Sequence, residues 1–231
     1  MRSAVLLSGG LDSAVLLAEE AVDRDVQPVY VSVGLSWEAA ERDMLVRLLA
    51  DTAMKRMVTR PLVALTVDMS DVYAATHWAI QGRPPGYHTP DADVYLPGRN
   101  IVLIGKAAVY CAAVGIGRLV LGTLAGNPFP DATPEFRSAL SHALSLGLAH
   151  QIEVEAPYAK ASKADVIRRG ISLGVPLELT MSCMNPRGPR HCGACSKCRE
   201  RHDAFIEAGL ADPTPYVDQS YLGTQKIGGY H

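Results

Sequence analysis

Aromatic residues, net charge and long apolar runs are all scarce in this 231-residue chain. Phe, Trp and Tyr make up 6% of it, too few for a surface that reads stacked single-stranded bases. Lys and Arg number 22 against 24 Asp and Glu, a formal charge of −2. No global field therefore draws the protein to nucleic acid or to an anionic membrane. No stretch approaches the roughly 18 consecutive apolar residues of a membrane span. The opening MRSAVLLSGG has one basic residue and an apolar run too short for a secretion signal. The expected location is cytoplasmic. Disorder is excluded by a hydrophobic content of 48%. In a reducing compartment the five cysteines are expected to bind metal where they cluster, not to form disulfides.

Apolar runs alternate with helical patterns. Strands are expected over 4–7, 27–33, 62–67, 118–121 and 151–155, and helices over 12–22, 37–55 and 100–114. Strands separated by helices imply an α/β fold, a Rossmann-like parallel sheet with helices on both faces. Such sheets bind ligands beyond the carboxyl ends of their strands, where strand order reverses. Two irregular segments, 81–98 with four prolines and 123–134 with three, read as active-site loops. The expected division is an α/β domain over 1–180, a small C-terminal cysteine-rich segment over 181–210 and an irregular tail over 211–231.

Ser8-Gly9-Gly10-Leu11-Asp12-Ser13 lies between the first strand and the first helix. Two glycines permit positive φ and close backbone approach, so successive amides can face one concavity. The helix adds the positive end of its dipole, and Ser8 and Ser13 add hydroxyl donors. The result is a phosphate cradle. It is neither a Walker A loop nor a dinucleotide G-x-G-x-x-G motif. Asp12 has two readings, an ordinary N-cap or a contributor to a cation site.

Cys183, Cys192, Cys195 and Cys198 read C-x8-C-x2-C-x2-C. Four thiolates with two tight chelating steps suit tetrahedral Zn²⁺, with an iron–sulfur cluster as the rival. Four protein ligands leave no open position, so the metal's role is structural. Cys111, inside the apolar helix, reads as a core residue.

The hexapeptide matches the signature of the PP-loop pyrophosphatases. The chain as a whole resembles the QueC family, up to about residue 208. The resemblance is carried by SGGLDS at 8–13, YLPGRN at 95–100, APYAKASKAD at 156–165 and SCMNPRGPRHCGACSKCRER at 182–201. It implies an adenine nucleotide alpha hydrolase-like fold and an ATP-dependent C–N ligase. The reaction it implies converts 7-carboxy-7-deazaguanine and ammonia to the nitrile, with Mg²⁺, two ATP, and release of AMP and pyrophosphate. It further implies that Leu7, Ser8, Gly9, Gly10, Leu11, Asp12, Ser13 and Lys163 bind ATP, with Asp12 and Lys163 catalytic. Arg99, Asn100 and Asp131 fall to the substrate, although helix capping alone would also account for Asn100. Tyr95 or Phe129 is available to stack on a purine-like ring or to pack. The partners are then a deazapurine acid and an amine, with no membrane or nucleic acid, and a homodimer is an option.

Two positions depart from the family pattern. Gly34-Leu35-Ser36-Trp37 stands where a Gly-Gln-x-His-like run is typical, and the second loop reads Pro128-Phe129-Pro130-Asp131-Ala132-Thr133 without the family's arginine. Arg137 is a candidate replacement for that carboxylate partner. A paralogue acting on another acid or amine, a tRNA-thiolating PP-loop enzyme and an ATP-binding zinc interaction module are the alternatives.

Overall fold

A computed structural model describes residues 2–222. Five strands form one sheet: β1 (Arg2–Leu6), β2 (Asp25–Ser32), β3 (Val63–Thr66), β4 (Arg118–Val120) and β5 (Glu153–Glu155). All neighbours are parallel, in the order β3-β2-β1-β4-β5. The helices are α1 (Leu11–Asp23), α2 (Glu38–Ala50), α3 (Thr52–Met57), α4 (Trp78–Gln81), α5 (Arg99–Ala113), α6 (Pro134–Leu148), α7 (Lys163–Ser172) and α8 (Ser196–Ala208). Among the described residues no helix is long and apolar enough to cross a membrane.

The sheet is covered on both faces, as its unalternating strands require. Ala4 of β1 belongs to one buried cluster, with Val29, Ile104 and Ala108. Its neighbour Val5 belongs to the other, with Tyr30, Leu17 and Ile167. This is the two-residue period of a strand read on both sides at once. Strand order reverses between β1 and β4, which opens a crevice at their carboxyl ends. Gly122, just past β4, lies against the first turn of α1. A Cβ there would sit 3.1 Å from the Asp12 carbonyl carbon, so only glycine fits without displacement.

The structure corrects the single helix expected over 37–55. Asp51 is extended, and its Oδ1 accepts from the amides of Ala53 (2.8 Å) and Met54 (3.3 Å). An aspartate that caps a new helix competes with continuation of the old one, so α2 ends and α3 begins. Helices α6 and α8 add to those expected from the hydrophobic pattern. A local signal for α6 exists: Thr133 accepts from the Phe136 amide at 3.1 Å, and Pro134 follows at the first helical position.

The cysteine segment packs into the sheet's own core. Cys183, Cys195 and Cys198 belong to the same buried cluster as Ala4 and Val29. The Met181 amide donates to the Gly9 carbonyl at 2.7 Å, tying this segment to the glycine turn. Of the tail, residues 211–222 are described. They run beside the cysteines, with Val217 donating to His191 O (2.8 Å) and Asp218 to Cys192 O (3.0 Å). The remainder of the expected tail lies outside the described residues.

Candidate active site and cysteine cluster

A cavity of about 510 Å³ opens at the carboxyl ends of β1, β2 and β4. At one end lies the glycine turn. Gly9 has φ +78, a conformation that L side chains rarely adopt, and a Cβ there would meet Leu45 Cγ at 3.2 Å. The turn is held internally: Ser13 Oγ accepts from the Ser8 amide (3.2 Å) and donates to Gly10 O (3.0 Å), while Ser8 Oγ accepts from the Gly10 amide (3.2 Å). Gly10 is the N-cap of α1 and offers no side-chain acceptor to the helix's first amides. Those amides and the helix dipole remain available to an anion. Leu7, Ser8, Gly10, Leu11, Asp12 and Ser13 all line the cavity, whereas Gly9 shapes the turn from below.

Asp12 is not the N-cap; it is the second residue of α1. Its Oδ2 lies 3.1 Å from Lys163 Nζ, and its Oδ1 is buried with no hydrogen-bond partner among the described residues. Lys163 begins α7, placed there by a capping box in which Ser162 and Asp165 exchange hydrogen bonds. The lysine also pairs with Glu200 of α8, a carboxylate that Lys197 holds from the other side at 2.5 Å. Burial alone would pull the Lys163 pKa down, but Asp12 and Glu200 more than offset it and raise it above the ordinary lysine range. Burial pushes Glu200 up and the two lysines outweigh it, leaving its carboxyl at about 2. Sequence spacing carries no sign of Glu200, because the contact spans two helices.

The rest of the cavity lining is built from several elements. Arg99 opens α5, and its Nε is buried without a hydrogen-bond partner among the described residues. Asn100 does not cap α5 either; Gly98 holds that position. Asp131 reaches across from the second long loop instead. It accepts from the Asn100 amide (3.1 Å) and Nδ2 (3.2 Å), which occupies both its carboxylate oxygens and fixes the start of α5. Tyr95 and Phe129 stack on each other, centroids 5.2 Å apart, joining the two long loops. Both loops line the cavity, through Asp91, Val94 and Leu96 on one and Asn127 and Phe129 on the other. Arg137 is not part of this cavity. It is buried, donates to Ala132 O at 2.6 Å and faces a separate groove beside β5.

Trp37, at the position where the sequence departs from its family, stacks on Trp78 at 5.7 Å with 7° between planes. Its Nε1 donates to Glu41 Oε1 (3.1 Å), and Tyr30 OH donates to Glu41 Oε2 (3.1 Å). Burial pushes the Glu41 carboxyl up to about 7, against a lowering pull from Arg99 and with a further rise from Glu38. Glu38 accepts from the amides of Val33 (2.8 Å) and Gly34 (3.2 Å) and thereby fixes the turn into α2. Neither glutamate stands out in the sequence, since acidic residues in a first helical turn are ordinary.

The four cysteine sulfurs lie within 4.8 Å of one another and can hold a metal ion. Amides of Asn185 and Cys192 donate to Cys183 Sγ at 3.3 and 3.2 Å, and that of Ala194 to Cys192 Sγ at 3.4 Å. Hydrogen bonds within the cluster hold the Cys192 thiol below its ordinary range and push those of Cys183 and Cys198 above theirs. The donor set fits the group. Cys111 is fully buried in α5, and burial pushes its thiol up to about 12, which leaves it inert.

A doubly wound parallel sheet with a glycine turn at its switch point, a lysine aimed at that turn and a four-cysteine cluster defines a PP-loop α/β protein. Over residues 2–209 the chain matches the description "Queuosine biosynthesis protein QueC". It belongs to the QueC family. It is 33% identical to the 7-cyano-7-deazaguanine synthase of Caldicellulosiruptor bescii, over 94% of this chain and 97% of that protein. It is 31% identical to the synthase of the same name from Methanoregula boonei, over 94% and 99%. Among solved structures, the U34-tRNA thiolase NcsA of Methanococcus maripaludis with its [4Fe-4S] cluster is 13% identical with a TM-score of 0.47, covering 90% of this chain and 67% of that one.

Proposed function

We propose that this protein is an ATP-dependent C–N ligase that converts 7-carboxy-7-deazaguanine and ammonia to 7-cyano-7-deazaguanine. One observation carries the reading: a single cavity is lined both by a phosphate-type turn, backed by Lys163 and Asp12, and by Arg99, whose Nε is buried without a partner among the described residues. A triphosphate on the turn and a carboxylate facing Arg99 then share one enclosed space.

The substrate carboxylate attacks the α-phosphorus of ATP. The bond to the bridging β-oxygen breaks, and pyrophosphate leaves into the amides of residues 8–13. Charge growing on that leaving group is stabilised by donors already in place and by Lys163. Mg²⁺ carried with the nucleotide would neutralise phosphate charge, and Asp12, whose Oδ1 is buried without a partner among the described residues, is the residue that would hold it. Ammonia then attacks the acyl-adenylate carbon, AMP leaves, and a proton is lost to give the amide. In a second round the amide oxygen attacks a second ATP, pyrophosphate leaves again, and loss of AMP together with both remaining N–H protons yields the nitrile. Positioning and water exclusion by the two long loops supply much of the rate, because the acyl-adenylate hydrolyses readily.

The cysteines are assigned to structural Zn²⁺. Their Sγ separations of 3.5 Å (Cys195–Cys198) and 3.8 Å (Cys192–Cys198) fit the edge of a tetrahedron, about 3.8 Å for zinc–sulfur bonds of about 2.3 Å. Several iron atoms would hold the sulfurs farther apart.

The test is incubation with ATP, ammonium and 7-carboxy-7-deazaguanine, with products identified by mass. A nitrile formed with AMP and pyrophosphate is the expected result. Unchanged acid would overturn the substrate. The Trp37–Trp78 pair, where the family's usual residues are missing, favours one second reading: the reaction stops at the amide, which the same experiment distinguishes.

A further inference from the structure

Helix α8 carries two cysteines in and before its first turn, yet its polar side chains reach both the cavity and the loop that forms part of its wall. Lys197 and Glu200 serve the phosphate end. Arg199, between them, points the other way. Its Nη1 donates to the carbonyls of Tyr87 (2.7 Å) and Thr89 (2.8 Å), and its Nη2 to Asp91 Oδ1 (2.7 Å). Beside it the Ser196 amide donates to Pro85 O at 3.2 Å, and Gly86 forms a β-bridge with Cys195. The loop gripped in this way supplies Asp91, Val94, Tyr95 and Leu96 to the cavity wall.

We infer that Arg199 is a positioning residue for the acid-binding end: it spans the loop from Tyr87 to Asp91 and holds that wall at the distance the substrate needs. The geometry requires an arginine. A planar fork reaches three acceptors at once, whereas a lysine ammonium on a flexible stem is a point donor. Val94 and Leu96 anchor the end of the loop in the core. Its earlier part, around Tyr87 to Asp91, has only the Gly86–Thr89 turn and the start of the 3-10 turn over Asp91–Val94, and its prolines remove amide donors. The contacts of Arg199 are to this loop, so it acts on the substrate through the loop. A misplacement of about 1 Å in such a wall is enough to cost about 100-fold in turnover.

The inference rests on the proposed acid substrate, so its test has two readouts. In steady-state kinetics, Arg199→Ala should raise the KM for the acid by about 10- to 100-fold while the KM for ATP stays within about twofold. Arg199→Lys should fall between, since one or two acceptors are retained. Glu200→Gln, one residue along the same helix, should show the opposite split and weaken ATP alone. Equal shifts in both KM values, or no shift, would overturn the positioning role. Amide hydrogen exchange, measured without any substrate, is the second readout. Arg199→Ala should speed exchange over 87–96 while 183–198 and the bound metal are unchanged. Unaltered exchange over 87–96 would overturn the clamp. If the wild type leaves the acid untouched while exchange responds as expected, the substrate reading fails and the clamp stands. Should Arg199→Ala not fold, Asp91→Asn removes one charged contact and is expected to give a smaller shift in the same direction.

Discussion

Two carboxylates that line one cavity are driven in opposite directions. Glu200 lies between Lys163 and Lys197 and is held down to about 2, whereas Glu41, bonded to Tyr30 and Trp37, is pushed up to about 7. Glu41 is buried and Glu200 half-buried, and desolvation pushes both carboxyls up, so burial alone does not set the sign. Around Glu200, cations close to the carboxylate overcome the cost of desolvation. Around Glu41, the partners are neutral donors, Arg99 acts without a hydrogen bond, and Glu38 adds like charge, so desolvation wins. Glu200 belongs to a compensated ion network with Lys163, Asp12 and Lys197, which under the proposed function faces the triphosphate. Glu41 belongs to an aromatic-lined part of the same cavity, where Arg99 Nε has no hydrogen-bond partner among the described residues.

The largest effect that would break this comparison is at Asp12. Asp12→Ala should cut acid-dependent pyrophosphate release by about 10³-fold, the scale of losing a transition-state contact, while the metal stays bound. A variant that still turns over would remove the phosphate end from the scheme. Next comes the cluster both ends lean on. Cys195→Ser should lose the one zinc per chain expected from elemental analysis and lower the Tm by about 10 °C, corresponding to about 4 kcal/mol in a chain of this size. Finding iron, or no metal, would refute the assignment. Arg99→Leu should raise the KM for the acid by about 10- to 100-fold and spare ATP, the loss of one charge-assisted contact.

The smallest effect is a pH dependence that separates the two glutamates. Because the folded state holds the Glu41 proton up to about 7, against an ordinary 4.5, it binds more protons than the unfolded chain between those values. Stability therefore falls as pH rises through that window and stays lower above it. Glu41→Gln should remove the slope and add up to about 3 kcal/mol at pH 8, read by denaturant titration at pH 5 and pH 8. Glu200 has the reverse sign. Its contribution is present above 4.5 and is lost only as pH falls towards about 2. A gain at pH 8 for Glu200→Gln as well would dissolve the contrast.

What is legible in the chain is whatever a few consecutive residues encode. The glycine turn needs Gly9 at positive φ and a helix starting immediately afterwards, and both lie within SGGLDS. The four-cysteine site needs short chelating steps, and those are spacings. The roles of Asp12 and Asn100 are less legible, because each sits two residues past an N-cap glycine that sequence alone does not mark. Arg137 looks like a carboxylate partner by proximity to the second loop, yet its helix turns it toward Ala132.

The order of residues by itself determined the strands, the phosphate-type turn and the thiolate cluster, because backbone preference, hydrophobic period and chelate length act over a handful of positions. Tertiary structure alone decided which charges meet. Lys163 and Glu200 are 37 residues apart, and Arg199 reaches back more than a hundred to Tyr87 and Asp91. Coulomb energy and desolvation depend on distances in space, and only the packing of α1, α7, α8 and the long loop around the end of the sheet sets those distances.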